Sequence, residues 1–182
     1  VYAMQVAMTE AVNMDLSIEE ADAVFGRPMG IPKTGVFALY DLIGIDLMSD
    51  VLKSFQKELP KEDEFQKVVS GLPIIKKLIE TGYTGRKGKG GFYRMNKSEN
   101  KKTLEALNLN KNEYFPVKKI DLRINKLNLL ELINRNDKYG KYAWSVISKI
   151  ILYSSSLVPA ITDEYNDIDE ACLLYTSPSP RD

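Results

Sequence analysis

Histidine is absent from this 182-residue sequence, and cysteine occurs only once, at Cys172. Histidine is the side chain that most often accepts protons near neutral pH, so its absence removes the commonest general base. A lone cysteine cannot form an internal disulfide, and it supplies no pair of ligands at zinc spacing. The sequence therefore predicts neither a catalytic histidine nor a metal site in this chain.

An excess of one charge and long apolar runs are also missing. Lys plus Arg and Asp plus Glu each number 25, so the formal net charge is zero. A neutral chain has little general attraction for nucleic acids or anionic membranes. The apolar runs are far shorter than the roughly 20 residues that a membrane-spanning helix needs, and no signal-peptide pattern is present. We expect no nucleic-acid partner, no membrane span and a cytoplasmic parent protein.

Both ends of the sequence look incomplete. Val1–Met4 lies inside an apolar helical pattern and lacks a start methionine, which predicts truncation. Residues 172–182, CLLYTSPSPRD, match the translation of a transposase sequencing adapter; the alternative is a natural tail rich in Ser and Pro. We expect this segment to be foreign and exclude it from the functional interpretation. It contains the single cysteine, and a chain without cysteine fits a reducing compartment.

Apolar periodicity predicts a mainly α-helical fold. The first helix occupies Val1–Met14, and a capping box of Ser17 and Glu20 begins a second helix that ends near Phe25. The same periodicity predicts five further helices, bounded by glycine or proline in several places. Their ranges are Gly35–Gly44, Asp46–Leu59, Ile74–Thr81, Leu127–Ile133 and Tyr139–Ser155.

Three other segments are predicted to connect these helices. Arg27–Thr34 contains two prolines and a glycine, so we expect a constrained loop there. Tyr83–Met95 is rich in glycine and basic residues and is predicted to be a loop, with Gly91–Met95 extended. Asn96–Lys119 is polar and predicts a linker with one short helix near Leu104–Leu107.

Two ordered motifs resemble those of 3-hydroxyacyl-CoA dehydrogenases. The first is a Gly/Pro loop followed by a helix with the pattern G-x-F-x-L-x-D-x-x-G-x-D. Its positions here are Gly35, Phe37, Leu39, Asp41, Gly44 and Asp46. The second, GRKGKGGFY at residues 85–93, is similar to the family's G-[KR]-K-x-G-x-G-F-Y ending, although Lys89 replaces the usual glycine. The resemblance covers about residues 1–95 and implies the helical C-terminal domain of this family.

The rest of the chain resembles the region that follows this domain in multifunctional bacterial β-oxidation proteins, where the domain is repeated. In agreement, Ser17–Ala21 (SIEEA) is similar to Asp167–Ala171 (DIDEA), although capping boxes are common enough for coincidence. The predicted organisation is the C-terminal domain at 1–95 and a linker region at 96–138. The predicted organisation continues with the start of a second, truncated copy at 139–171 and ends with the adapter translation at 172–182.

The resemblance implies NAD-dependent oxidation of a 3-hydroxyacyl-CoA in fatty-acid β-oxidation. In this family a His–Glu pair, with a nearby Ser and Asn, does the proton chemistry, and none of these four residues is present here. The G-x-G-x-x-G turn that binds dinucleotides in Rossmann domains is also missing. We therefore expect an inactive fragment without catalytic residues, whose parent supplies the Rossmann domain. A homodimer is a further possibility that the resemblance raises.

Four residues are candidate ligand contacts. Lys87 matches the family lysine that reaches NAD from the C-terminal domain, and its alternative is a solvated lysine in a loop. Met29, Pro32 and Phe37 are candidates for the acyl side of the substrate cleft, and their alternative is core packing.

Two other functions stay open at this stage. One is a non-catalytic helical module for dimerisation or docking. The other is the helical domain of a related hydroxyacid dehydrogenase, which the G-x-G-F-Y ending after the Gly/Pro loop disfavours. An RNA-binding role for the basic glycine-rich loop is disfavoured because one loop on a neutral chain releases few counterions.

Overall fold

The computed structural model describes residues 1–31, 33–70, 72–98, 101–120, 128–168 and 170. The chain divides into two compact units, one ending at Val146 and the other beginning at Ile147. The described fold is mainly α-helical, as predicted, and it also contains one small sheet that was not predicted. The domain boundaries at 95, 138 and 171 stay predictions, and the proposed adapter segment lies outside the described residues.

The first two helices confirm the sequence-based prediction closely. Helix α1 (Tyr2–Asn13) buries a face that includes Val6, Met8 and Ala11. Helix α2 (Ile18–Val24) begins with the capping box, because the Ser17 hydroxyl accepts from the Glu20 amide and the Glu20 carboxylate accepts from the Ser17 amide. Both interactions satisfy N–H groups that a helix start leaves without partners.

A short 3₁₀ helix, Arg27–Met29, forms within the predicted constrained loop. Four α-helices follow it, of which only α5 was not predicted. They are α3 (Val36–Ile43), α4 (Ile45–Glu58), α5 (Phe65–Val68) and α6 (Ile74–Glu80). Gly44 alone separates α3 from α4, so the first motif runs along α3 and ends with Asp46 in the first turn of α4.

The predicted helix near Leu104–Leu107 is wrong. These residues lie in β2 (Lys101–Asn108), which pairs antiparallel with both β1 (Tyr93–Ser98) and β3 (Glu113–Pro116). Leu, Glu and Ala favour helices locally, but that preference is worth only tenths of a kcal/mol per residue. The ladders on both sides of β2, together with burial of Ala106 and Leu107, outweigh it.

Two more helices end the described fold. Helix α7 (Leu129–Ile133) begins with a capping box of Asn128 and Glu131, and α8 runs over Lys138–Ser156. Residues 165–168 are also helical, and Asp167 lies within this turn. Among the described residues, no helix is long and apolar enough to cross a membrane.

Candidate functional site

The glycine-rich segment of the second motif forms a tight loop between α6 and β1. The Gly85 amide donates to the Gly90 carbonyl at 2.7 Å, and the Gly88 amide donates to the Gly85 carbonyl at 3.0 Å. The Lys89 amide donates to the carbonyl of Gly82, which tethers the loop to the end of α6. Backbone hydrogen bonds therefore fix this loop, although its side chains are mostly exposed.

Asp41 joins the two sequence motifs. Its carboxylate accepts hydrogen bonds from the amides of Phe92 (2.8 Å) and Tyr93 (2.7 Å), and its carbonyl accepts from the Arg86 amide (2.8 Å). All three donors belong to the glycine-rich loop or to the start of β1. The aspartate of the first motif thus holds both ends of the second motif.

This close approach explains two of the glycines. A Cβ atom at Gly85 would lie 2.4 Å from the Asp41 carbonyl oxygen, and Gly85 also has a φ of +104°. A Cβ atom at Gly91 would lie 2.0 Å from an Asp41 carboxylate oxygen. Both distances are far inside van der Waals contact, so side chains at these positions are incompatible with the observed backbone.

Asp22 provides a second carboxylate next to the first. It accepts hydrogen bonds from the amides of Phe37 (2.7 Å) and Ala38 (3.0 Å), at the start of α3, and from the Tyr93 hydroxyl (2.9 Å). Because Gly35 offers no side chain to cap α3, the carboxylate of α2 does so from a distance. Tyr93 therefore contacts both aspartates, through its amide to Asp41 and its hydroxyl to Asp22.

Burial has the largest influence on the pKa values of these two carboxylates. Desolvation raises the pKa of Asp22 to about 7, against the hydrogen bonds it accepts from Phe37, Tyr93 and Ala38. Desolvation likewise raises the pKa of Asp41 to about 6, although two backbone hydrogen bonds and the charge of Arg86 oppose it. Both groups consequently bind protons more tightly in the folded chain than in an unfolded one.

We expect the free energy of unfolding to fall as the pH rises from about 5 to about 7. Carboxyl groups with raised pKa values stabilise the fold fully at a pH below their unfolded-state pKa, which is near 4. This stabilisation is lost as the pH rises through their folded-state pKa values. Burial also lowers the pKa of the Val1 amine, and that group acts in the opposite direction between its lowered pKa and its ordinary value of 8. Urea unfolding at both pH values measures the trend. Asp22→Asn should flatten it, and a midpoint that rises over this interval would contradict it.

A group of polar and aromatic side chains supports the loop from the sheet. The Arg94 guanidinium lies 4.0 Å from the centre of the Tyr114 ring and pairs with Glu105 at 2.8 Å. Tyr83 stacks on Tyr114, whose hydroxyl donates to the Gly91 carbonyl at 2.5 Å. The three-stranded sheet therefore holds the loop by contacts from β1, β2 and β3 together.

Lys87 lies at the exposed tip of this loop. Its side chain makes no hydrogen bond or ion pair with another residue that the structure describes. Lys89, two positions along, instead lies over Gly82 and donates to the Thr81 carbonyl at 3.3 Å. The geometry leaves the Lys87 ammonium available to an external negative group, while its backbone is held in place.

The two candidates for substrate contact that the structure describes, Met29 and Phe37, are not exposed. Phe37 is fully buried and packs edge-to-face on Phe92, with ring centres 4.9 Å apart. Met29 is also buried, in the 3₁₀ helix, and Pro32 lies outside the described residues. Phe37 and Met29 are therefore core residues in this chain, and a role in acyl binding stays a prediction for all three.

Sequence reasoning did not identify Asp22 and Tyr93 as residues of this site. One signal was present, because α3 begins after Gly35 and has no capping side chain of its own. A polar group from elsewhere had to supply the missing acceptors.

In the part of the chain that the structure describes, no cluster of three Asp, Glu, His or Cys residues could hold a metal ion.

Comparison with known proteins agrees with this geometry. The family model described as 3-hydroxyacyl-CoA dehydrogenase, C-terminal domain, matches residues 1–95, which include Asp22, Asp41 and the glycine-rich loop. No solved structure matched the chain.

Two relatives extend the similarity over most of the chain. A Rickettsia prowazekii (strain Madrid E) protein, provisionally named a fatty acid oxidation complex trifunctional enzyme, is 38% identical over 92% of this chain and 23% of its own length. A Bacillus subtilis (strain 168) protein, provisionally named a 3-hydroxyacyl-CoA dehydrogenase, is 28% identical over 93% of this chain and 22% of its own. The chain spans about a quarter of the length of these relatives. It belongs to the 3-hydroxyacyl-CoA dehydrogenase C-terminal domain family.

Proposed function

We propose that this chain is the helical C-terminal part of an NAD-dependent 3-hydroxyacyl-CoA dehydrogenase within a larger cytoplasmic protein of fatty-acid β-oxidation. The observation that carries the proposal is the junction of the two family motifs, in which Asp41 fixes the loop that presents Lys87. A longer parent supplies the Rossmann domain and the catalytic residues. The chain by itself binds and positions but does not catalyse.

NAD would accept hydride from the 3-hydroxyl carbon of the substrate. The part of this chain is narrower: Lys87 offers a positive charge to a negative group of the cofactor from a backbone that hydrogen bonds hold in place. The fit is supported by the exposure of Lys87. Gly88 beside it serves the packing of the loop, because a Cβ atom there would lie only 2.7 Å from the Gly82 carbonyl oxygen. Roles for Met29, Pro32 and Phe37 in contacting the acyl group belong to the same proposal.

In the full-length parent, Lys87→Ala is expected to raise the KM for NAD more than the KM for the acyl-CoA. A partly exposed ion pair contributes about 0.5–1 kcal/mol and a well-ordered charged hydrogen bond about 1.5–3 kcal/mol. The loss in kcat/KM for NAD should accordingly be on the order of 3- to 100-fold. Steady-state kinetics with each substrate varied in turn measures the effect.

Lys76→Ala is the matched control for this experiment. Lys76 is an exposed lysine on α6 whose ammonium lies near Glu80, and it lies outside the glycine-rich loop. Its replacement should leave both KM values unchanged. Unchanged kinetics in Lys87→Ala would mean that Lys87 is a solvated surface residue that does not contact NAD.

A dimerisation role is the second candidate, and three exposed apolar side chains favour it. Leu42, Leu47 and Phe55 are large apolar side chains on α3 and α4 that remain exposed. A homodimer that covers them would bury this apolar surface.

The truncated second copy at 139–171 is proposed on the similarity of its DIDEA segment to SIEEA, with α8 in the place of α1.

A further inference from the structure

An open cleft of about 800 Å³ lies between the glycine-rich loop and the β1–β2 hairpin. We call it the hairpin cleft. The residues on which its chemistry depends are Arg86, Lys89, Met95, Lys97 and Leu104. Lys87 is not among its lining residues, so the loop presents Lys87 separately from its two basic neighbours.

Positive charge predominates in the hairpin cleft. Arg86, Lys89 and Lys97 are exposed cations, and none of them forms an ion pair with another residue that the structure describes. Arg94 also lines the cleft, but its charge is matched by Glu105. Asp41 is the one carboxylate among the described lining residues, and it is buried and already accepts two backbone amides.

The strand register places a second lysine beside Lys97. Lys97 lies directly opposite Lys102 in the antiparallel pairing of β1 with β2. Like charges in opposed positions destabilise a hairpin. A bound anion would relieve this repulsion, so the arrangement favours occupancy by a ligand with more than one negative charge.

An apolar platform lies next to these cations. Met95 and Leu104 are cross-strand partners, 49% and 45% exposed. Exposed apolar side chains are ordinary when they occur singly. Here the pair lies in a cleft and adjoins three cations, which matches a ligand that combines a flat apolar ring with phosphate groups.

We propose that the hairpin cleft binds the adenine end of coenzyme A, with its terminal phosphate monoester on Arg86, Lys89 and Lys97 and its ring on Met95 and Leu104. The inference rests on the proposed function for the choice of an acyl-CoA substrate. A monoester carries about −1.5 to −2 charges near pH 7, whereas the pyrophosphate of NAD carries no such terminal group. Three exposed cations match the more highly charged nucleotide.

Direct binding to this 182-residue chain tests the proposal without any turnover. Adenosine 3′,5′-bisphosphate is titrated by calorimetry at low salt, in parallel with NAD and with inorganic phosphate. We expect the bisphosphate to bind most tightly and its affinity to fall as salt is added. Arg86→Ala, Lys89→Ala and Lys97→Ala should each weaken its binding on the order of three- to tenfold.

Lys87→Ala separates a built site from a diffuse positive field, because Lys87 has the same charge on the same loop but does not line the cleft. Its effect on bisphosphate binding should be clearly smaller than that of Lys89→Ala. Absence of bisphosphate binding, equal or tighter binding of NAD, or equal losses in Lys87→Ala and Lys89→Ala would each overturn the proposal. Failure of the NAD prediction for Lys87 in the parent would leave these binding results unaffected, so the two proposals can fail separately.

Discussion

Asp41→Ala is expected to reduce the free energy of unfolding by about 3–5 kcal/mol. The substitution removes the acceptor of two amides, those of Phe92 and Tyr93, at a site where the aspartate is almost completely buried. A buried donor without a partner costs about 1–3 kcal/mol, and two are created at once. Total stabilities are typically only 5–15 kcal/mol, so such a loss would leave a marginal fold.

Urea unfolding followed by circular dichroism measures this loss, and Asp50→Ala serves as the control. Asp50 lies on the adjacent helix α4, is exposed and pairs with Lys53 three residues away. Removing that surface pair should cost no more than about 0.5 kcal/mol. Equal destabilisation by the two substitutions would show that the buried hydrogen bonds of Asp41 contribute nothing special.

Local chemistry explains which elements could be predicted from the sequence. Four helices can be predicted from residues within or next to them: α1, α2, α4 and α6. Examples of such local signals are the Ser17 capping box of α2 and the proline before α6. The sheet carries no comparable evidence. Its middle strand, β2, contains residues with helical preference, and it becomes a strand only because β1 and β3 pair with it on either side.

The candidate site was predicted only in part for a similar reason. The glycine-rich loop and Lys87 are visible as a contiguous motif. The residues that fix the loop are distant in sequence: Asp41 lies 51 positions from Phe92, and Asp22 lies 71 positions from Tyr93. The uncapped start of α3 indicates that an acceptor is needed there, but no periodic or capping pattern identifies which distant residue supplies it.

Tyr93 shows how the two carboxylates act together. Its amide binds Asp41 on α3 and its hydroxyl binds Asp22 on α2, so the first residue of β1 is attached to both helices. Burial and the neighbouring Asp22 raise the pKa of the Tyr93 hydroxyl, which keeps it protonated and able to donate. The loop that presents Lys87 therefore depends on helices that form a separate part of the sequence.

Gly85→Ala is expected to have an effect at least as large as Asp41→Ala, with a loss of about 4 kcal/mol or more in the free energy of unfolding. Two costs coincide at this position. The φ of +104° is unfavourable for any residue with a Cβ atom, and that atom would lie 2.4 Å from the Asp41 carbonyl oxygen. The Asp41 carbonyl oxygen cannot move away easily, because it belongs to the backbone of α3 and accepts a hydrogen bond from the Arg86 amide.

Gly30→Ala separates the two costs. Gly30 also has a positive φ, +72°, but a Cβ atom there would meet nothing within 4 Å. Its replacement should cost only the left-handed backbone strain, about 1–2 kcal/mol. The difference between the two alanine variants in urea unfolding therefore measures the steric contact with Asp41. A Gly85→Ala chain as stable as the Gly30→Ala chain would mean that the loop can move away from α3, and the fixed presentation of Lys87 would then lose its structural basis.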